Sequence, residues 1–383
     1  MERIPVGVIG CGYWGPNIIR NFASCPLTEV AAIHDASSAR LEAVGKSYGS
    51  AKLLTSLDAF LEMPIQAVAI ATPVSTHYSL AARCLEAGMH VMVEKPLAAT
   101  VPEAVSLVKL AEKQQRVLMV DHTYLFNPAV RRIKELVDQG ELGDLQYIDS
   151  VRINLGLFQH DINVIWDLAP HDLSIADYVL GQSARSISAW GCAHADPDIE
   201  DIAYVNVDFG EQLLANFHVN WLSPVKLRQM IFGGSRKSLV FNELNTTEPV
   251  KVYDRGIEVN DGVEERRKIQ VGYRTGDVWS PHIDAGEALQ AAVKHFAECI
   301  RENKTPLSDG QLGLRVVRML EAATRSIRAQ GGRVVLANGS GTNGNGNGKG
   351  HESGWIVAHR GGRSAGQECA DVRVREPLRV PSR

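Results

Sequence analysis

The sequence predicts an α/β protein in two parts. A doubly wound parallel sheet runs to about residue 125, and an α+β part on a large, open, mostly antiparallel sheet runs from 126 to about 337. Three observations predict it. Short, continuously apolar, β-branched runs alternate with amphipathic segments in the first third of the chain. Extended segments with a single helical interruption follow. A glycine-rich turn joins the first strand to the first helix.

The strands are read in order as VGVIG (6–10), EVAAIHD (29–35), QAVAIATP (66–73), HVMVEKP (90–96) and RVLMVDH (116–122). Between them, STHYSLAARCLEAG and TVPEAVSLVKLAEKQQ place apolar residues at helical spacing, and parallel strands need such crossovers. A helix over 127–140 follows, and after it the pattern changes. From about 145 to 255 the stretches LQYIDSVRINL, SISAWGCAH, AYVNVDFG, LLANFHVNWL, RQMIFGG and SLVFN read as strands, with one helix near 163–180. Successive strands without helices between them pair antiparallel, and one face of their sheet is left for a ligand or a second subunit. Two helices follow, HIDAGEALQAAVKHFAECIREN and GQLGLRVVRMLEAATRSIRAQG. The stretch NGSGTNGNGNGKG (338–350) is almost entirely Gly, Asn and small polar residues, so 338–383 is read as a disordered linker and tail.

A chain of 383 residues is too long for one ordinary core. Its net charge of -4 carries no basic excess, so neither nucleic acid nor an anionic membrane surface is an expected partner. No apolar run approaches the roughly 20 residues of a membrane span, and no secretory signal is recognised at the start. The six cysteines are scattered without a C-x-x-C pair, which points to reduced thiols and a cytoplasmic protein.

Chemistry enters with GCGYWGP. Gly10, Gly12 and Gly15 follow a strand, and Pro16 stands where a helix begins. This is the context a dinucleotide site demands: a tight turn, close backbone approach to a pyrophosphate, and a helix N-terminus facing the phosphates. Cys11, Tyr13 and Trp14 complete the loop. Asp35, twenty residues after Gly15, ends the second strand where a carboxylate would hold the adenosine ribose. It predicts NAD over NADP, with Ser37, Ser38 and Arg40 near enough to soften the preference. Lys95, in EKP, ends a parallel strand and is either a surface charge or a proton-handling group. WDLAPHDLSI places Asp167 and His171 four apart, on one face if the path is helical, although Pro170 between them should start or kink the helix. His160, Asp161 and Asp172 could join these two around a metal, but no metal-ligand spacing appears and none is expected.

The ordered set of strand, GxGxxG, helix, ATPVSTH (71–77), EKP (94–96) and Asp-x-x-x-His ahead of an open sheet resembles a known family. It is that of glucose-fructose oxidoreductase, inositol dehydrogenase and MocA (Gfo/Idh/MocA), NAD(P)-dependent oxidoreductases of sugars and polyols. The likeness covers residues 4 to about 335. It implies a Rossmann domain and a dehydrogenase of sugar CH–OH groups with NAD as cofactor, NADP remaining open, and a homodimer or homotetramer assembled on the second sheet. Thr72, Pro73 and His77 are implied to line the cleft near the nicotinamide and its ribose, with Glu94 and Lys95 beside them and Asn127 close to the cofactor. The Lys95–Pro96 bond is implied to be cis. Lys95 and His171 are implied to hydrogen-bond the hydroxyl that is oxidised, either being its base, with Asp167 orienting them. Ala169 and Pro170 depart from the family, many of whose members carry glycine there.

GYWGPN and WDLAPHDLSI look most like members acting on nucleotide-linked sugars, implying C3 of a UDP-linked N-acetylhexosamine or its uronate as the reacting carbon. A dehydrogenase of a free sugar or inositol, and a non-catalytic dinucleotide-bound sensor, are the alternatives. Arg152, Gln159, His160, Asn163 and His282 are polar candidates around the cleft.

Overall fold

The computed structural model describes residues 2–156, 158, 159, 161–259 and 271–336. The expected tail and His160 lie outside them. Strands β1 (Ile4–Ile9), β2 (Thr28–His34), β3 (Lys52–Leu54), β4 (Ala67–Ile70), β5 (His90–Glu94) and β6 (Leu118–Asp121) form one parallel sheet in the order 3-2-1-4-5-6. Helices α1 (Gly15–Ser24), α2 (Ser38–Gly45), α3 (Leu57–Leu61), α4 (Val74–Glu86) and α5 (Val101–Gln114) connect them. Both faces of this sheet are covered, so Val6, Val8, Val68, Ile70, Val91 and Val93 are all buried. That is why its strands read as unbroken apolar runs rather than alternating ones. Strand order reverses between β1 and β4, and the crevice there is where ligands bind in open parallel sheets.

The second part begins with α6 (Pro128–Asp138), β7 (Leu145–Leu155), α7 (Val164–Leu180) and β8 (Ser186–Cys192). It continues with β9 (Ile202–Gly210), β10 (Leu213–Asn220), β11 (Leu222–Gly234), β12 (Ser238–Asn242), β13 (Val250–Val259) and β14 (Val271–Trp279). Helices α8 (Ala288–Glu302) and α9 (Gly310–Arg328) and the short β15 (Val334–Val335) complete it. Among the described residues its sheet has nine strands in the order 14-13-12-11-7-10-9-8-15, antiparallel throughout except for the β7–β10 pair. Inward residues such as Ile148, Val205, Phe217, Phe232 and Phe241 are buried. The other face stays open.

Three local readings change. Helix α7 runs through Pro170 rather than starting there; Asn163 caps it, its side chain accepting the Trp166 N–H at 3.2 Å. The proline removes the donor for the Trp166 carbonyl, and burial of Val164, Ile165, Leu168 and Leu173 outweighs that loss. Helix α8 starts at Ala288, not His282, because Glu287 is pinned by Arg20 and Asn21 and Ser280 by the Val250 carbonyl. Strand β14 was not anticipated: its two glycines and three charged or polar residues dilute the apolar pattern, and pairing with β13 supplies the order.

Candidate active site

The glycine loop leaves β1 at the switch point. Gly10 has φ +101°, and a Cβ on it would strike the Ala71 carbonyl; one on Gly15 would strike the Gly10 carbonyl. Both positions therefore require glycine. A Cβ on Gly12 would meet nothing within 4 Å, so the loop presents an open face at the N-terminus of α1. Asp35 ties the loop from below: Oδ2 accepts the Cys11 N–H at 2.7 Å and Oδ1 accepts the Ser37 N–H at 2.8 Å. Its oxygens keep acceptor capacity for ribose hydroxyls. Arg40 stands 3.9 Å from Oδ2. The Cys11 thiol is buried and pushed up to about 11 by burial and by Asp35, so it is inert at neutral pH. Tyr13 and Trp14 are exposed on the loop, edge to face at 5.7 Å. An open glycine loop, a helix N-terminus and a carboxylate at the end of β2 suit a dinucleotide.

Two residues expected at the cofactor are otherwise engaged. His77 is 1 % exposed, and its ring nitrogens face the Pro96 and Thr72 carbonyls, each at 2.9 Å, which leaves neither nitrogen for a ligand. It clamps the end of β4 to the cis Lys95–Pro96 bond. Asn127 caps α6, its carboxamide oxygen accepting the Ala129 N–H at 2.8 Å. Thr72 accepts the Thr76 hydroxyl at 2.7 Å, and Pro73 caps α4.

Lys95 leaves the C-terminal end of β5 and reaches α7. Its ammonium donates to the Asp167 carbonyl at 2.8 Å and lies 3.5 Å from Asp167 Oδ1, while Asp167 Oδ2 accepts the Trp221 indole N–H at 3.0 Å. Two of the three ammonium protons are thus taken and one is left to point elsewhere. Since α7 is continuous, His171 sits one turn beyond Asp167. Burial, and the charges of Lys95, Arg152 and Arg228, hold its pKa well below the ordinary value, so the imidazole is neutral at neutral pH. Its Nδ1 is buried and has no partner among the described residues.

Sequence reasoning named Arg152 but missed the rest of what backs His171. The Tyr124 ring packs edge-on against it at 5.0 Å, and the Arg152 guanidinium lies 4.8 Å over the Tyr124 ring. Tyr124 donates to Glu243 Oε1 at 2.6 Å, and Glu243 also takes Arg228 at 2.5 Å and Arg152 at 3.1 Å. These residues come from five separate segments, and no local spacing links them. Of the polar candidates, Arg152 is sealed in an ion pair with Asp172, Asn163 is a helix cap, and His282 is 90 % exposed beside Asp284. Among the described residues no three His, Cys, Asp or Glu side chains are grouped to hold a metal. A groove of about 570 Å³ near Arg116, Lys304 and Gln311 shares no residue with the Lys95 cluster.

An open glycine loop over a carboxylate, with a lysine at the adjoining strand end and a neutral imidazole on the helix it reaches, defines an NAD-binding oxidoreductase. The chain belongs to the Gfo/Idh/MocA family. Residues 4–122 match the oxidoreductase family, NAD-binding Rossmann fold, and residues 130–240 match the GFO/IDH/MocA C-terminal domain. It is 28% identical over 321 residues to the UDP-N-acetylglucosamine 3-dehydrogenase of Acidithiobacillus ferrooxidans, covering 83% of this chain and 95% of that protein. The solved structure of that enzyme superposes with a TM-score of 0.71 over 86% of this chain and 99% of the other. The scyllo-inositol 2-dehydrogenase (NAD(+)) of Bacillus subtilis is 25% identical over 344 residues, 85% of this chain and 95% of that one.

Proposed function

We propose that this protein oxidises a secondary hydroxyl of a sugar with NAD, the favoured substrate being a UDP-linked N-acetylhexosamine or its uronate reacting at C3. The observation that carries the chemistry is Lys95, with one proton to spare, fixed by Asp167, which lies a helical turn before neutral His171. The likeness to a UDP-N-acetylglucosamine 3-dehydrogenase supports the substrate. NAD supplies the hydride acceptor. An alcohol becomes a carbonyl only if its hydroxyl proton also departs, so a base must lie within hydrogen-bond reach. His171 takes that proton. Lys95 donates to the oxygen as negative charge develops on it, and Asp167, steadied by Trp221, fixes the ammonium's direction.

NADH formation with a panel of nucleotide sugars, free hexoses and inositols tests this reading. Turnover is expected with a UDP-linked N-acetylhexosamine or its uronate. Turnover with inositol or a free sugar alone would move the substrate class, and tight NAD binding without any turnover would favour a sensor.

The cofactor preference follows from Asp35, which accepts the ribose 2'-hydroxyl and repels a 2'-phosphate. Asp35→Ala is expected to narrow the preference for NAD over NADP and also to weaken both, because the Cys11 and Ser37 amides lose their acceptor. Dinucleotide titrations by fluorescence check it. Equal efficiency with both cofactors in the wild type would contradict it.

The open sheet face carries the registered row Trp190, Tyr204, His218 and Val151, with Tyr204 and His218 stacked at 4.4 Å and Leu214 and Tyr147 exposed alongside. This apolar surface is the basis for a homodimer or homotetramer. A monomer by light scattering at micromolar concentration would sink it.

A further inference from the structure

Beneath Lys95 lies a group of buried polar atoms for which the proposed chemistry has no use. Glu94 and Asp121 are register partners at the C-terminal ends of β5 and β6. Burial raises the pKa of both carboxyl groups, and the Asp121 charge raises that of Glu94 further. Asp121 Oδ1 accepts the Thr123 hydroxyl at 2.8 Å, and Glu94 Oε2 accepts the Lys95 N–H at 3.2 Å. Among the described residues Asp121 Oδ2 finds no hydrogen-bond donor. The next residue, His122, is 1 % exposed, and among the described residues neither of its ring nitrogens has a partner. Lys95 is close enough to both imidazoles for its charge to oppose their protonation, and His122 bears in the same way on His171.

Each buried nitrogen left without a partner lowers stability, because its desolvation goes uncompensated. Phe or Leu would fill the same space without that cost. Such a ring is suited to one task an apolar side chain cannot perform, taking a proton on one nitrogen while releasing another from the opposite one.

We propose that His122 relays the proton taken from the substrate hydroxyl, passing it from the Lys95–His171 pair to the Glu94–Asp121 pair, with ordered water spanning the gaps. The proposal rests on the reading of Lys95 and His171 given above. For each hydroxyl oxidised, the O–H bond breaks and its proton passes to His171, then through the His122 ring to the Asp121 carboxylate. The C–H bond breaks with its electron pair leaving as hydride to NAD. After product leaves, the neutral carboxyl pair returns one proton to solvent. The charges facing the path set its direction. Lys95 on β5, Arg152 on β7 and Arg228 on β11 all oppose a proton resting on His171, while Asp167 on α7 is committed to Lys95 and Trp221. The carboxyl pair is the better resting place, because burial raises the pKa of both groups and the Asp121 charge raises that of Glu94 further.

Two measurements test it. The first is the infrared spectrum of the dinucleotide-free protein at neutral pH, where a carboxylic-acid C=O band is expected and Glu94→Gln should remove it. Absence of that band in the wild type overturns the proposal whatever the substrate. The second is NADH formation with UDP-N-acetylglucosamine, or whichever sugar of the panel is oxidised. His122→Phe and Asp121→Asn are each expected to lower kcat by on the order of 10² and to enlarge its solvent deuterium effect, with NAD affinity unchanged. Asp121→Asn, nearly isosteric, decides the matter should His122→Phe fail to fold. If both variants keep wild-type kcat while Lys95→Met and His171→Ala lose it, the relay alone is wrong. If all four keep it, the site itself is misassigned.

Discussion

Replacing Lys95 with Met, or His171 with Ala, is expected to cut turnover by on the order of 10² to 10⁴ while leaving dinucleotide affinity close to wild type. The separation follows from where the contacts lie. The glycine loop and Asp35 hold the dinucleotide from β1 and β2, whereas Lys95 and His171 project from β5 and α7. The two losses should not multiply, because both groups act on one oxygen and one proton, and a unit missing either part is already disabled. Their pH signatures should differ. With its pKa held below the ordinary 6.5 by burial and by neighbouring cations, His171 stays an unprotonated base throughout the neutral range. The acidic limb of kcat/KM in the wild type should therefore fall below pH 6.5, and His171→Ala should abolish that limb. Lys95→Met should lower the plateau instead. Steady-state NADH absorbance across pH, with fluorescence titration of the dinucleotide, reads both effects. Near-wild-type turnover in both variants would place the acid–base group elsewhere in the cleft.

Features specified within a few residues of one another were legible in the sequence. Gly10 and Gly15 collide with backbone if given a side chain, so their spacing records a turn that only glycine can make. Lys95 follows its strand directly, and Asp167 and His171 are one helical turn apart. What could not be read depends on partners from distant segments. Asn127 and Asn163 looked like ligand groups because an asparagine before a helix and one beside a cofactor have the same letter; in the fold both are caps. That the His77 nitrogens face two backbone carbonyls depends on residues nineteen and five positions away, which no local pattern records. Arg152 looked available because its counter-ion lies twenty residues on, on the other side of a helix start. Pro170 does not break α7, since the rule against proline inside a helix is a cost of about 3 kcal/mol that a deeply buried helix absorbs.

The largest stability effect is expected at that same arginine. Arg152 Nε and Nη2 fork the Asp172 carboxylate at 2.7 to 3.0 Å, and Ser150 donates to it at 2.9 Å. Both charges are almost wholly removed from water. In such a setting the pair as a whole adds little, but breaking it leaves one charge buried and uncompensated, at a cost of about 3–5 kcal/mol. Asp172→Ala should therefore lower the free energy of unfolding by about 3 kcal/mol, near the bottom of that range because Glu243, 3.1 Å from Arg152, shares the orphaned charge. The double replacement Arg152→Met with Asp172→Leu should recover most of the loss, since neither charge is then stranded. Urea titrations of the three proteins provide the comparison. The stabilising part of Glu243 itself has a pH window. Burial raises its pKa, but Arg152, the Tyr124 hydroxyl and Arg228 outweigh burial and the net value is lowered below the ordinary 4.5. Its contribution is thus complete above pH 4.5 and is lost as pH falls through the lowered value, so Asp172→Ala, which leans on Glu243, should unfold in acid sooner than the double variant. A loss of under about 1 kcal/mol in Asp172→Ala, the size of an exposed ion pair, would mean that Arg152 reaches water or is fully re-paired, and the buried-charge account would fail.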